Sequence, residues 1–238
     1  MTTVDGETQE RCDLYSRGAF ETVSLQWVRV GWSLGYYNAF TWMGQPVLQL
    51  PEDLIRLQEV IYRVRPDVIV ETGVFRGGSL LFHATLCEAM GKGCIIGIDR
   101  EIPAPVRQAI ASHHLAPRIT LVEGDSISAA VLGQVADMIH PGETALVILD
   151  SCHTKTHVLR ELESYSRFVT PGSYIIAADG VMRDLTDVPG GKPDWAADNP
   201  LAAADEFVEA HPEFHRVEVT ALSANVTYWP GAWLERVS

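Results

Sequence analysis

Acidic side chains stand at the ends of several apolar segments in this sequence. Glu71, Asp99, Asp150 and Asp179 each end, or directly follow, a run of apolar residues that is typical of a buried strand. In an open parallel sheet the carboxyl ends of the strands lie at one edge, where such sheets bind ligands. Carboxylates gathered at one edge repel one another, so the pattern predicts that cations or hydrogen-bond donors offset their charge there.

Asp150 and Asp179 are the candidate metal ligands, because carboxylate oxygens that converge in one crevice suit Mg²⁺. His153, three residues after Asp150, is the candidate general base, since an imidazole titrates near neutral pH. The alternative for His153 is a surface histidine at a helix start. His157, one helical turn later, is predicted to be structural. A nucleophilic pair of Cys152 and His153 is a weaker alternative, because it leaves the other acids unexplained.

A glycine-rich turn follows the first of these strands. Its spacing, Glu-x-Gly-x-x-x-Gly-Gly-Ser from Glu71 to Ser79, is neither that of a dinucleotide site nor that of a P-loop. Such a turn aims backbone N–H groups and a helix N-terminus at a ligand. Arg76 occupies the place of a close-packed glycine, so a small charged group such as an amino-acid carboxylate fits better than a pyrophosphate. Asp99 is placed to accept hydrogen bonds from a ribose diol.

The rest of the chain predicts the elements that carry these residues. Strands are predicted at 67–72, 94–99, 118–123, 145–150 and 173–178, and helices at about 78–90, 103–115, 127–139, 155–168 and 201–210, after a helix that begins at Pro51. Apolar strands separated by helices indicate an α/β fold with a parallel sheet covered on both faces. Two last strands, near 215–220 and 225–230, should pair antiparallel. Residues 181–200 are predicted to form a long loop.

The first fifty residues differ in composition from the rest. We expect residues 1–50 to form an irregular cap with one or two short helices, and residues 51–238 to form the main part of one structural domain. The aromatic residues of the cap are predicted to pack on the core. As an alternative, Tyr37, Phe40 or Trp42 also line a substrate pocket, whose walls are usually apolar.

Composition and charge exclude several classes of function. The 238 residues are 47% hydrophobic, which excludes a disordered chain, and the net charge of −13 argues against nucleic acid or an anionic membrane as the main partner. Neither a signal peptide nor a membrane-spanning run is visible in the sequence. The four cysteines form no Cys-x-x-Cys pair, so reduced thiols and a cytoplasmic location are expected.

Together the motifs resemble those of class I S-adenosylmethionine-dependent methyltransferases, in the branch of cephalosporin hydroxylases and rhamnosyl or macrolide sugar O-methyltransferases. The motifs are those at 70–79, 97–100, 123–125, 149–153 and 178–179, and the resemblance covers about residues 40 to 215. The resemblance implies a Rossmann-like, doubly wound sheet of seven strands with an antiparallel last strand. It also implies a cofactor site formed by Glu71, Gly73, Phe75, Ser79, Asp99, Arg100, Gly124, Asp125, Ser126 and Asp150.

Within that site the resemblance implies distinct roles. The Gly73 turn and Ser79 hold the methionine moiety, Asp99 takes the ribose hydroxyls, and Asp125 and Ser126 lie beside the adenine.

The resemblance further implies Mg²⁺ at Asp150 and Asp179, with Asp150 also near the cofactor amine. His153 occupies the position of a basic residue in related catechol-type enzymes. The branch often has Glu-Asp where this chain has Ala178-Asp179, so one acidic ligand is replaced by alanine. Either Asp184 or water molecules complete the coordination, or the site works without a metal.

These observations favour an O-methyltransferase that acts, with Mg²⁺, on a hydroxyl of a small molecule, with a deoxysugar of a secondary metabolite as the suggested acceptor. Tyr37, Trp42 and His153 are the candidate substrate contacts. One alternative is a cephalosporin-hydroxylase-type component, but an iron oxygenase needs two histidines and a carboxylate, and no second histidine is convincingly placed. Another is a protein that binds the cofactor without methyl transfer. Family members are commonly oligomeric, so a homo-oligomer is expected.

Overall fold

The computed structural model describes residues 2–4, 7–9, 13–217 and 225–238. The strands are β1 (Thr2–Val4), β2 (Glu7–Gln9), β3 (Thr41–Trp42), β4 (Gln45–Pro46), β5 (Val68–Thr72), β6 (Cys94–Asp99), β7 (Ile119–Glu123), β8 (Ala145–Leu149), β9 (Tyr174–Ala177), β10 (Phe214–Arg216) and β11 (Trp233–Arg236). The helices are α1 (Arg17–Ser33), α2 (Pro51–Val64), α3 (Gly78–Met90), α4 (Ala104–Ala111), α5 (Ala129–Met138), α6 (Lys155–Tyr165) and α7 (Pro200–Ala210). No helix in these ranges is long and apolar enough to cross a membrane.

A seven-stranded sheet in the order β10-β11-β9-β8-β5-β6-β7 forms the centre of the molecule. β11 is antiparallel to both of its neighbours, and the pairs from β9 to β7 are parallel. The predicted α/β sheet with an antiparallel last strand is therefore confirmed. The chain winds outward from β5 through β6 to β7 and then returns to β8 on the other side of β5. Ligands of such sheets bind at this reversal, beyond the carboxyl ends of β5 and β8.

The side chains of the central strands alternate between two layers of helices. Ile69 and Ile148 pack in one apolar cluster, which includes residues of α2, α3 and α4. Val70 and Val147 pack in the other, which includes residues of α5, α6 and α7. Because both faces are covered, every residue of β5 and β8 is buried, as their apolar sequences predict. The five predicted strands 67–72 to 173–178 agree with β5 to β9 within one residue at each end.

The N-terminal cap is more regular than the predicted cap with one or two short helices. This part of the chain contains α1, a helix of 17 residues whose first turn is capped by Ser16. Apolar residues lie on more than one side of α1: Val28 is buried, whereas Phe20 and Val30 are exposed. Because apolar residues lie on two sides of α1, its sequence shows no single apolar face of the kind by which an amphipathic helix is recognised.

The prediction of a strand at 225–230 was wrong, since the last strand is β11 at Trp233–Arg236. The preceding segment is irregular because the backbone N–H of Tyr228 donates to Asp53 on α2, and Pro230 and Gly231 then form a turn. β10 covers only the beginning of the predicted strand 215–220, and residues 218–220 lie outside the described residues. Two predicted helices end early, at Ala111 and Tyr165.

Candidate active site

A cavity of about 500 Å³ opens at the carboxyl ends of the central strands. The turn after β5 forms its floor, Asp99 follows from β6, and Asp150 and Asp179 follow β8 and β9. The sequence placed these acids at one edge of the sheet, and the structure brings Asp99, Asp150 and Asp179 to one cavity. Glu71 lies behind the wall, where it is buried.

The turn after β5 has little room for side chains. Gly73 has a φ of 97°, and a Cβ there would collide with the carbonyl oxygen of Asp150. A Cβ at Gly78, where α3 begins, would collide with the carbonyl of Pro46. Phe75 is held at a φ of 42°, a conformation that non-glycine residues rarely adopt. The backbone of this turn is therefore fixed against β8 and the cap, with the start of α3 directed at the cavity.

Glu71 stabilises this turn through two contacts with α3. One carboxylate oxygen accepts the hydroxyl of Ser79 at 2.6 Å, and the other lies 2.7 Å from Nε2 of His83, which is fully buried on α3. Both oxygens are thus occupied by the protein. Ser79 lines the cavity. The buried contact between Glu71 and His83 was not predicted, because a single histidine in an apolar helix carries no pattern that reveals its partner.

Asp99, the last residue of β6, is joined directly to the turn. Its Oδ2 accepts the backbone N–H of Phe75 at 2.9 Å. Gly73, Phe75, Ser79 and Asp99, all predicted cofactor residues, line the cavity together.

Four other predicted cofactor residues are not part of the cavity wall: Arg100, Gly124, Asp125 and Ser126. Asp125 accepts the backbone N–H of Ile127 in the turn before α5, and Ser126 is buried. Their role beside an adenine stays a prediction.

Asp150, His153 and Asp179 form the one group of acids, histidines or cysteines in the described ranges that is arranged to hold a metal ion. One atom from each residue lies within 4.8 Å of the others. Nε2 of His153 is 3.2 Å from Asp150 Oδ1 and 3.6 Å from Asp179 Oδ2. Hard carboxylate oxygens of two strands beside one imidazole are a donor set that fits Mg²⁺.

Burial and mutual charge set the protonation of this group. Burial raises the pKa of Asp150, and the charge of Glu71 raises it further. Burial and the charge of Asp150 raise the pKa of Asp179 to about 6. Burial lowers the pKa of His153, but the charges of Asp179 and Asp150 outweigh it and raise the pKa to about 9. In the absence of another cation, His153 is therefore protonated at neutral pH and supplies the positive charge between the two acids.

The suggestion that Asp184 replaces the acid missing at Ala178 is not supported by the structure. Asp184 is not a member of the described group, and its carboxylate pairs with Arg183 at 3.1 Å. Ala178 is fully buried. Two other side chains act on the acids instead: hydrogen bonding from Gln49 lowers the pKa of Asp150, and hydrogen bonding from Trp229 lowers the pKa of Asp179.

His157 lies beside the site but faces away from the acids. Its Nε2 is 3.3 Å from the hydroxyls of Ser126 and Ser151 and 3.4 Å from the fully buried carboxylate of Glu161. Hydrogen bonding to Glu161 raises its pKa. This arrangement agrees with the structural role predicted for His157.

Aromatic residues form another part of the cavity wall. Tyr37 lines the cavity as predicted, together with Trp32, Trp195 and Tyr228, which were not predicted. Trp42 does not line it, because its indole N–H donates to Thr85 at 3.0 Å and its ring packs on α3. The sequence could not separate Tyr37 from Trp42, since both belong to the same aromatic segment.

Two residues in the second half of α1, Arg29 and Trp32, contact the loop at 181–200. Arg29 donates to the backbone carbonyl of Asp184 and to the carboxylate of Asp187, both at 2.7 Å. The rings of Trp32 and Trp195 meet edge to face at 5.6 Å. The predicted long loop contains two short 3-10 helices, Gly180–Asp184 and Pro193–Ala196.

Comparison with known proteins identifies relatives that match 60% to 76% of this chain. A rhamnosyl O-methyltransferase of Mycobacterium leprae is 28% identical over 149 residues, covering 60% of this chain and 61% of the relative. A rhamnosyl O-methyltransferase of Mycobacterium bovis is 24% identical over 189 residues, covering 76% of this chain and 73% of the relative. The chain thus spans between three-fifths and three-quarters of the length of these relatives.

Solved structures share the fold. A structure of CmcI with Mg and SAM matches with a TM-score of 0.57 at 23% identity, covering 84% of this chain and 78% of that one. A structure of the MycE methyltransferase from the mycinamycin biosynthetic pathway, with Mg and SAH, matches with a TM-score of 0.53 at 21% identity, covering 77% of this chain and 48% of that one. The family model described as rhamnosyl O-methyltransferase/CmcI matches residues 34–237. The resemblance inferred from the motifs is confirmed, and the chain belongs to the rhamnosyl O-methyltransferase/CmcI family.

Proposed function

We propose that this protein is an S-adenosylmethionine-dependent O-methyltransferase that methylates a hydroxyl of a small molecule, in particular of a sugar. The observation that carries this proposal is the position of Asp150, His153 and Asp179 in the same cavity as the Gly73 turn and Asp99. One end of the cavity suits a charged amino-acid group and a ribose, and the other suits the activation of a hydroxyl. Membership of the family agrees with this division.

The turn and Asp99 are the proposed cofactor contacts. The start of α3 offers free backbone N–H groups, which suit the carboxylate of a methionine moiety. Asp99 retains carboxylate lone pairs beyond its bond to Phe75, which suit a pair of ribose hydroxyls. Glu71 acts through Ser79 and His83 and holds the turn in place. Methyl transfer requires the donor carbon, the sulfur and the acceptor oxygen in line, and these residues would hold the cofactor for that alignment.

Asp150 and Asp179 are the proposed ligands of Mg²⁺. A bound Mg²⁺ lowers the pKa of an acceptor hydroxyl and orients it. His153 is the proposed base, because it lies between the two ligands and opens to the cavity. Full activity in the presence of EDTA would contradict the metal and leave His153 to act alone.

A sugar is the proposed class of acceptor because of the aromatic wall. Trp32, Tyr37, Trp195 and Tyr228 offer flat apolar surfaces in the same cavity as the acids. The apolar face of a deoxysugar suits such surfaces, while its hydroxyls reach the acids. The relatives that carry the name rhamnosyl O-methyltransferase agree with this class.

The decisive experiment is calorimetry with S-adenosylhomocysteine. We expect the wild-type protein to bind it, and Asp99→Ala to weaken binding at least about tenfold, or about 1.4 kcal/mol. Asp125→Ala tests the more distant predicted contact in the same way. Equal affinity of wild type and Asp99→Ala would remove Asp99 from the cofactor site.

The hydroxylase alternative requires a second histidine beside the acids. His157 points at Ser126, Ser151 and Glu161 instead, so the two-histidine, one-carboxylate set does not form among the described residues. The alternative of a cofactor-binding protein without transfer predicts that S-adenosylhomocysteine binds but that no acceptor is methylated. A screen of deoxysugar and polyketide glycosides decides between this alternative and the enzyme.

We also propose that the protein forms a homo-oligomer through α1. Phe20, Val23, Trp27, Val30 and Leu34 are spaced alternately by three and four residues and are between 40% and 80% exposed. This spacing is that of a seam between paired helices, and the seam fits a second copy of itself.

Light scattering at micromolar concentration tests the oligomer. We expect a mass above that of the monomer, which the double change Val23→Glu and Val30→Glu lowers. Ile55→Glu, at an exposed apolar residue of α2, is the control. A monomer mass for the wild type would contradict the proposal. The cytoplasmic location stays a prediction.

A further inference from the structure

Gln49 is a buried polar residue of the cavity wall. It precedes α2, is 4% exposed and lines the cavity on the side of Asp150. Hydrogen bonding from its side chain lowers the pKa of the Asp150 carboxyl. Because a carboxylate only accepts hydrogen bonds, the amide N–H of Gln49 is the donor in this contact.

The carbonyl oxygen of the same amide has no hydrogen-bond partner among the described residues. A buried acceptor without a partner costs about 1 to 3 kcal/mol, so such a group in an active-site wall calls for a partner that the protein does not itself supply. The carbonyl is bonded to the same carbon as the amide nitrogen that contacts Asp150. It therefore lies next to the acidic group of the cavity.

The surroundings decide which partner fits this oxygen. Asp150 and Asp179 lie on the same side of the cavity, and His153 is the cation between them. Arg76, the other cation in the wall, lies over the ring of Phe75 at 5.0 Å. Two carboxylates and a neutral carbonyl beside a single imidazole leave an excess of acceptor oxygens. A cation satisfies such a set, whereas an anion or an apolar group does not.

We propose that Gln49 is a cation-binding residue of this site, its carbonyl oxygen acting with Asp150. Two cations of the proposed reaction have this chemistry: a divalent metal and the α-ammonium group of the cofactor. Ala178 supplies no ligand from β9, and Gln49 supplies a neutral oxygen from the segment before α2. The inference rests on the proposed function, because that function brings both cations to the cavity.

Two variants separate cation binding from the orientation of Asp150. Gln49→Leu removes both the amide N–H and the carbonyl. Gln49→Glu also removes the N–H but keeps an oxygen in place and adds a negative charge. If Gln49 binds a cation, Gln49→Leu weakens the binding at least about tenfold and Gln49→Glu preserves or tightens it. If Gln49 only orients Asp150 through its N–H, both variants weaken it. Gln58→Leu, on α2 and outside the cavity wall, is the control.

The binding measurements identify which cation is held. Binding of Mn²⁺ without cofactor, followed by electron paramagnetic resonance, tests the metal. Calorimetry without metal compares S-adenosylhomocysteine with its analogue that lacks the α-amino group, and tests the ammonium. A loss in Gln49→Leu with retention in Gln49→Glu, for either probe, supports the inference and names the cation. If the ammonium is the cation, Gln49→Leu weakens the binding of S-adenosylhomocysteine but not that of the analogue without the α-amino group.

Three other results would contradict the inference. If the wild type binds its probes and Gln49→Leu binds them equally well, Gln49 holds no cation while the proposed function stands. If both variants weaken the binding alike, Gln49 is a positioning residue for Asp150 and the inference fails. A wild-type protein that binds neither Mn²⁺ nor S-adenosylhomocysteine contradicts the proposed function, and the inference with it.

Discussion

His153 contacts the carboxylate of Asp150, three residues before it, with Nε2 lying 3.2 Å from Oδ1. This contact forms because Asp150 follows the last residue of β8, and α6, which is capped by Thr154, begins only at Lys155. The imidazole is thereby turned back towards the strand end and also reaches Asp179 on the next strand at 3.6 Å. Two acids on one imidazole stabilise its protonated form, so a proton must leave His153 before it acts as a base.

The rate of methylation should therefore depend on the charge of this group. The carboxylates raise the pKa of His153 to about 9. Without a divalent cation, kcat/KM should rise with pH up to about 9, as the imidazole loses its proton. Added Mg²⁺ should shift this rise to lower pH, because a cation beside the acids removes the charge that holds the proton. Profiles recorded between pH 6 and 10 with and without Mg²⁺, and found to coincide, would disprove this coupling.

Replacement of His153 should separate catalysis from cofactor binding. His153→Ala should leave the affinity for S-adenosylhomocysteine within about threefold and lower turnover at least about a hundredfold, as expected for loss of a general base. His157→Ala should affect turnover far less, because His157 faces Ser126 and Glu161. The assay uses an acceptor from the glycoside screen. Wild-type turnover by His153→Ala would mean that another group removes the proton.

Much of the fold could be predicted because the central strands are short, apolar and separated by helices. β5 to β9 were located within one residue. Burial on both faces leaves continuous apolar runs in β5, β8 and β9. The length of α1 and the position of the last strand could not be predicted, for other reasons. α1 is apolar on more than one side, and the segment before β11 is fixed by contacts with Asp53, which lies far away in the chain.

The residues of the site also fall into those that could be predicted from the sequence and those that could not. Asp99, Asp150 and Asp179 could be found because the position of a residue at a strand end follows from the sheet itself. Gln49 and Tyr228 could not, because each meets the acids through the packing of distant segments, and a lone Gln or Tyr has no spacing that indicates this contact. A sequence of this class thus reveals the residues placed by topology and conceals those placed by tertiary packing.

Tyr228 offers a test of how the cavity affects stability. Its hydroxyl is buried in the cavity wall and has no hydrogen-bond partner among the described residues. Burial and the charge of Asp179 raise its pKa, so the hydroxyl keeps its proton. Tyr228→Phe removes this unpaired group, and we expect the free energy of unfolding to stay constant or to rise by about 1 kcal/mol. Urea unfolding of the protein without ligands measures the change.

Tyr165→Phe is the matched control for this prediction. The hydroxyl of Tyr165 is also buried, but it donates to the backbone carbonyl of Ser126 at 2.8 Å. Its loss should lower the free energy of unfolding by about 1 to 2 kcal/mol. If Tyr228→Phe is destabilised as much as Tyr165→Phe, the Tyr228 hydroxyl has a partner in the free protein and is not held open for a ligand.

Asp53 should give the stability of the protein a distinct dependence on pH. It is fully buried on α2 and accepts hydrogen bonds from the hydroxyl of Thr227 and the N–H of Tyr228, with Arg56 at 3.3 Å. Burial outweighs these favourable contacts and raises its pKa from 3.8 to about 7. The folded state therefore binds the proton of Asp53 more tightly than the unfolded state does.

The sign of the effect follows from this difference in proton binding. The stability contributed by protonated Asp53 is fully present below about pH 4 and is lost as the pH rises to about 7. In Asp53→Asn the group does not titrate, so the difference in free energy of unfolding between wild type and variant isolates it. Between pH 5 and 7 this difference should move against the wild type by at most about 1.4 kcal/mol per pH unit, and above pH 7.5 it should level off. Urea unfolding at several pH values measures it. A difference that is constant from pH 5 to 8 would mean that Asp53 stays ionised in the fold, with Arg56 and its hydrogen-bond donors outweighing the burial of its charge.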